Sequence, residues 1–170
     1  MLFHSTRGID KDKDFSTILM QGLADDGGLF VPKSISRFEK DELNSFKKLN
    51  YNELATEIIF PFIGNFMNKN ELSEIINKSY ANFRSSNVIE ISNLNDLKVL
   101  ELYHGPTLAF KDIAMQLIGN FYEYHLNKVD KKINIIVATS GDTGAAAIDA
   151  LKGKSNLNVF VLHPNNRISP

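Results

Sequence analysis

The sequence predicts an α/β protein in which a mainly helical amino-terminal region is followed by part of a parallel, doubly wound sheet. Three observations lead there. Apolar residues recur at three- and four-residue spacing through much of the stretch from Phe15 to Phe83. From Val88 the pattern shifts to short runs rich in β-branched residues. Finally, two largely apolar runs, Ile133 to Ala138 and Leu157 to Leu162, flank an Ala-rich stretch, and the order strand, helix, strand implies a right-handed crossover between parallel strands.

In chain order, Phe15, Ile18, Leu19 and Leu23 mark a first helix over Phe15 to Leu23, stopped by Asp25, Asp26, Gly27 and Gly28. Leu29 to Val31 form a short extended piece that Pro32 confines to an edge or an end. Helices are predicted over Lys40 to Leu49, Tyr51 to Met67 and Asn70 to Phe83, with Asn50 and Asn68 as breaks and Pro61 as a kink. Strands follow over Val88 to Ile91 and Leu97 to Tyr103, separated by the turn-prone Ser92 to Asp96. Ala109 to Val129 carries a wide apolar face and reads as a long helix. Ile133 to Ala138 and Leu157 to Leu162 read as strands covered on both faces, and Gly144 to Leu151 as the helix between them. All strands from Leu97 onward are expected in one parallel sheet, and the chain is expected to divide into residues 1–92 and 93–170.

Composition removes several classes of function. With 19 basic and 20 acidic residues the formal charge is −1, so nothing draws the chain to nucleic acid or an anionic membrane. It contains no cysteine, which excludes disulfides, thiolate metal sites and a cysteine nucleophile. No cluster of His and carboxylates has metal-ligand spacing, so no metal is expected. The start lacks the charged and apolar regions of a signal peptide, and no apolar run approaches the roughly 18 residues of a membrane span. A cytoplasmic protein is expected.

In doubly wound sheets, ligands bind where the strands end, which directs attention to three loops. The first, His104-Gly105-Pro106-Thr107-Leu108-Ala109-Phe110-Lys111-Asp112, puts Lys111 in the first turn of an apolar helix. A cation there opposes the helix dipole by roughly 0.3–1 kcal/mol, so its amine loses a proton more readily, as a Schiff-base-forming lysine must. The plain alternative is a solvated surface lysine. The second loop, Thr139-Ser140-Gly141-Asp142-Thr143-Gly144, brings free amides and two hydroxyls to a helix N-terminus and suits a carboxylate or phosphate. It is neither a Walker loop nor Gly-x-Gly-x-x-Gly, which disfavours nucleotides, and an ordinary βα turn is the alternative. The third, His163-Pro164-Asn165-Asn166-Arg167-Ile168-Ser169, offers a strand-end His and an Arg that are more often structural or solvated.

Taken together, Ser5-Thr6-Arg7-Gly8, Gly22 through Asp26-Gly27-Gly28 to Pro32, His104-Gly105-Pro106-Thr107 through Phe110-Lys111-Asp112 to Gln116, Ser140-Gly141-Asp142-Thr143-Gly144, and His163-Pro164 through Arg167-Ile168-Ser169 resemble the threonine synthase family. These are pyridoxal 5′-phosphate enzymes of the tryptophan-synthase-β, or fold type II, group. The resemblance runs through nearly the whole chain, and the His-Gly-Pro-Thr…Phe-Lys-Asp block is its most specific part. It implies that Lys111 holds pyridoxal 5′-phosphate beside Phe110, and that Ser140, Gly141, Asp142, Thr143 and Gly144 bind the substrate carboxylate next to the cofactor. Related enzymes often carry Asn where Asp142 stands. Arg7, His104 and Thr107 are candidates for substrate contacts.

The implied reaction converts O-phospho-L-homoserine and water to L-threonine and phosphate, with Lys111 as the base at Cα. Two alternatives stand beside it: a phospho-lyase of the same cofactor group that releases a 2-oxo acid, and a noncatalytic binding module. Family chains are much longer, with the loop that grips the cofactor phosphate beyond Pro170, so the resemblance implies an amino-terminal fragment, inactive and poorly soluble alone.

Overall fold

The computed structural model describes residues 1–139 and 141–165. They form an α/β chain of six helices and six strands that clusters into two compact units, Met1–Glu74 and Ile75–Pro170.

In the first unit, β1 (Phe3–Ser5) pairs antiparallel with β2 (Phe30–Pro32). Pro32 stands opposite Phe3 at the end of the ladder, where its missing N–H costs no strand bond. Between the strands lies α1 (Phe15–Gln21), opened by Asp14, whose carboxylate accepts the Thr17 amide at 2.8 Å. It closes at Gly22, so Leu23 falls outside the helix and is exposed. After α2 (Lys40–Phe46), α3 (Tyr51–Ile63) carries Pro61 in its last turn and stops short of Met67. The asparagines that break the helical pattern begin helices. Asn50 and Glu53 exchange bonds with each other's backbone amides at 3.0 and 2.9 Å, and Asn68 and Glu71 repeat the arrangement at 3.0 and 2.8 Å ahead of α4 (Lys69–Tyr80). Phe3, Ile63, Phe66, Met67 and Leu72 are buried, with Phe15 edge-on to Phe66 at 5.1 Å between ring centroids.

The second unit holds the last part of α4, the hairpin of β3 (Glu90–Leu94) and β4 (Leu97–Glu101), and then α5 (Lys111–Val129), β5 (Ile133–Ala138), α6 (Asp142–Leu151) and β6 (Leu157–Leu162). β5 and β6 are parallel and in register from Ile133 opposite Leu157 to Ala138 opposite Leu162, with α6 as the crossover. α4 is tied to α5 by Tyr80, whose hydroxyl donates to the Ile113 carbonyl at 3.1 Å, and by Asn120, whose amide donates to the Ser79 hydroxyl at 2.8 Å. Leu117, Phe121 and Leu126 from α5 join Ala146, Ala147, Ala150 and Leu151 from α6 and Leu157 in the buried set.

Two expectations are corrected. β4 does not enter the parallel sheet: it pairs antiparallel with β3 across Asn95 and Asp96, because a two-residue link allows only a hairpin. Nor are β5 and β6 covered on both faces. Ile133, Ile135, Val137, Leu157, Val159 and Val161 face the helices, while Ile136, Phe160 and Leu162 are 68%, 54% and 59% exposed. The open face carries Asn134 and Asn158 beside its apolar residues, and among the described residues only the other face has a helix layer. Strand β1 is a third departure, since three residues without alternation give no periodic signal.

Leu126 has no exposed surface. Leu126→Ala is expected to lower the unfolding free energy by about 2–5 kcal/mol in urea titration, and a loss under about 1 kcal/mol would show that this part of α5 is not core.

Candidate active site

α5 reaches β5 through a three-residue turn, and α6 follows β5, so both helices run against the strands. They also run alongside one another. Gln116 donates to Asp149 at 2.7 Å, and further along Lys154 donates to the Asn120 side chain at 2.8 Å. The amino ends of both helices therefore lie at the edge where β5 and β6 end, together with the loop from Leu102 to Phe110 and residues 163–165.

The first loop is wired to its own flanks. The His104 ring lies 3.0 Å from the Glu101 carboxylate, its carbonyl accepts the Arg84 amide at 2.8 Å, and the Tyr103 ring packs on it at 4.7 Å. Hydrogen bonds from Ser92, Tyr103 and His104 hold the Glu101 carboxyl below its ordinary 4.5, and the same contact raises the Tyr103 phenol. Thr107 is bound to Asp112, donating its amide at 2.8 Å and its hydroxyl at 2.6 Å to that fully buried carboxylate. Gly105 allows this closure, because a Cβ there would overlap the Asp112 side chain. Neither Glu101 nor Asp112 was marked in the sequence as a site residue. For Asp112 the available signal was an acid directly after the lysine, five residues beyond a threonine.

Lys111 is the first residue of α5 and is half-buried. Its Nζ stands 4.3 Å from the centroid of the exposed Phe110 ring, and it makes no ion pair among the described residues. A primary amine without a carboxylate partner, set against an aromatic surface, is available to condense with a carbonyl or to carry a proton. Those properties fit the aldehyde end of pyridoxal 5′-phosphate.

At the second loop, Ser140 lies outside the described residues, as do Arg167, Ile168 and Ser169 of the third. The Gly141 amide donates to the Thr139 hydroxyl at 3.3 Å, and the Gly144 amide to the Gly141 carbonyl at 2.9 Å. The amides of Asp142 and Thr143, in the first turn of α6, have no intrahelical acceptor and are the groups that suit an anion. The Asp142 side chain is exposed there, where the positive end of the helix favours its charge. Arg7 lies in the first unit, donating from its guanidinium to the Asp26 carbonyl at 2.9 Å. Among the described residues no three His, Asp or Glu side chains gather as a metal site, and no helix is long and apolar enough to cross a membrane.

Residues 2–80 match the family described as threonine synthase N terminus. The chain is 41% identical over 170 residues to the threonine synthase of Pseudomonas aeruginosa, an alignment covering 99% of this chain and 36% of that protein. It is 39% identical over 166 residues to threonine synthase-like 2 of Homo sapiens, covering 96% of this chain and 34% of that one. Among solved structures, PLP-bound threonine synthase from Brucella melitensis aligns with a TM-score of 0.94 at 39% identity, over 99% of this chain and 36% of that chain. Threonine synthase from Escherichia coli aligns at 0.87 and 32%, over the whole of this chain and 38% of the other. The chain thus spans little more than a third of the length of the relatives it matches.

The lowered Glu101 carboxyl predicts an acid-sensitive hairpin. Its share of stability is complete above the ordinary 4.5 and is lost as pH falls through the lower folded value. Glu101→Gln is expected to flatten the acid limb of a plot of urea midpoint against pH, and an unchanged limb would contradict the assignment.

Proposed function

We propose that this chain, which corresponds along its length to the amino-terminal portion of the threonine synthase family, supplies the reactive lysine of a pyridoxal 5′-phosphate-dependent enzyme converting O-phospho-L-homoserine and water to L-threonine and phosphate. The observation that carries this reading is the Lys111 amine at the head of α5, which makes no ion pair among the described residues and lies on the same sheet edge as the first-turn amides of α6, which have no acceptor within their helix. Lys111 and Phe110 would hold the cofactor, and the loop of Ser140, Gly141, Asp142, Thr143 and Gly144 would bind the substrate carboxylate near it. When bound, the cofactor supplies an electron sink for the charge that develops at the substrate Cα.

The chain's own groups then have definite tasks. The amides of Asp142 and Thr143 bind the substrate carboxylate and fix its orientation. The Lys111 amine takes the Cα proton and later returns one. Loss of a further proton from Cβ accompanies breakage of the Cγ–O bond and departure of phosphate. Water adds its hydroxyl at Cβ, and Cγ gains the proton that makes it a methyl group, which balances the reaction. His104, oriented by Glu101, is proposed to hold the substrate phosphate; Arg7, bonded to the Asp26 carbonyl in the first unit, is a separate candidate for a substrate contact.

In the full-length protein bearing this sequence, Lys111→Ala is expected to cut threonine formation by at least about 10²–10⁴-fold, the contribution of a general base alone. Borohydride reduction should fix the cofactor on the peptide containing residue 111 in the parent and leave that peptide unlabelled in the variant. A reduced adduct on a different lysine would refute the assignment, and a 2-oxo acid as the main product would replace the proposed reaction with a simple elimination.

A further inference from the structure

The acidic side chain directly after Lys111 has no part in the chemistry just described, yet it is the more deeply buried of the two buried carboxylates among the described residues, with 0% exposure against 9% for Asp10. Asp112 makes no ion pair there, and the two hydrogen bonds found on its carboxylate both come from Thr107. Burying a carboxylate without a cation is costly, and a well-packed apolar pair would stabilise the loop at least as well. What a carboxylate offers is geometry, because its two oxygens accept two donors from one residue in a fixed fork.

That fork closes a ring from Thr107 through Leu108, Ala109, Phe110 and Lys111 to Asp112. Inside it, Leu108 is held at φ 63°, a left-handed conformation that a leucine seldom adopts, and the Asp112 amide donates back to the Ala109 carbonyl at 3.0 Å. The ring ties the first turn of α5 to the loop before it. Successive side chains on a helix are set about 100° apart, so anchoring Asp112 also fixes the direction in which the Lys111 Cα–Cβ bond leaves the helix.

We propose that Asp112 is a positioning residue for the Lys111 amine, acting through the Thr107 amide and hydroxyl to orient the first turn of α5. The inference rests on the reading of Lys111 as the cofactor lysine. Position matters there because a displacement of about 1 Å at a reacting atom can cost on the order of 10²-fold in rate.

The test uses the full-length protein bearing this sequence, with pyridoxal 5′-phosphate as the probe and borohydride quenching at timed intervals. Adduct on the peptide containing residue 111 is quantified by mass spectrometry against the other lysines, beside a thermal melt of each cofactor-free variant. Asp112→Asn puts an amide donor where a fork acceptor stood, and Thr107→Val removes only the hydroxyl and carries the test if Asp112→Asn fails to fold. Below their melting midpoints these variants are expected to label residue 111 about 10²-fold more slowly, with the other lysines unaffected. Thr107→Ser, which keeps the hydroxyl, should label at the parent rate. Folded variants that lose only melting temperature and label residue 111 at the parent rate would overturn the proposal and leave Asp112 a structural residue. A parent protein that takes no adduct at residue 111 would overturn the cofactor reading and this inference with it.

Discussion

The geometry of the candidate site depends on how closely α5 approaches α6. At Gly119 a Cβ would come within 2.6 Å of the Ala150 carbonyl oxygen, so the helix backbones meet where neither side presents a bulky group. Ala146, Ala147 and Ala150 continue the small surface along α6 and are buried. Close approach alone would permit the helices to slide. The bond from Gln116 to Asp149 sets their alignment, and Lys154, reaching both Asn120 and Glu123, closes the far end. A slip of one turn, about 5.4 Å, would shift the head of α5 along α6. The alignment of two helices thus decides whether two loops distant in sequence share one edge.

Buried polar groups do this aligning in two places, by the same physical rule. Asn120 is 6% exposed and uses its whole amide: the nitrogen donates to Ser79 and to the Gln116 carbonyl, and the oxygen accepts from Lys154. Asp112 uses both oxygens on Thr107. A buried polar group that is fully bonded restricts its neighbours to one arrangement, since any shift leaves a donor or acceptor without a partner at a cost of roughly 1–3 kcal/mol. Apolar packing of the surrounding leucines and alanines tolerates small shifts far better. Asn120 fixes α5 against α4 and α6, and Asp112 fixes the loop against α5.

The sequence made legible the features that repeat over many residues. Ile133 to Ala138 and Leu157 to Leu162 emerge as neighbouring parallel strands with the expected bounds, and Lys111 heads its helix. Features built from single pairs escaped notice. The Asn50 and Asn68 breaks are helix starts because of a glutamate three residues on, a pairing that apolar spacing does not register. The open face of β5 and β6 was only partly legible: Asn134 and Asn158 lie on it, but Ile136 and Phe160 carry the same apolar signature as Ile135 and Val159, which among the described residues differ in facing the helices. At the site, the lysine and the glycine-rich turn were legible as types. Asp112 was not, because an aspartate in the first turn of a helix ordinarily needs no further explanation.

The groups at the strand-end edge divide into those already committed and those still free, and the division limits the chemistry each can perform. Thr107 has spent its hydroxyl proton on Asp112, so toward a ligand its oxygen can only accept. His104 faces Glu101 with one ring nitrogen, leaving the other to donate or accept as the tautomer dictates. By contrast, the Lys111 amine meets no carboxylate among the described residues, and the first-turn amides of α6 have no acceptor within their helix. Charge makes the contrast useful. The Lys111 amine and the first-turn amides of α6 are a cation and donors, suited to an anionic substrate, whereas the carboxylates of Glu101 and Asp112 are turned inward onto protein donors instead of toward the edge. Among the described residues of that loop, Asp142 places a negative side chain beside the first-turn amides. There its exposure to water weakens the repulsion that a buried carboxylate would exert on a neighbouring anion.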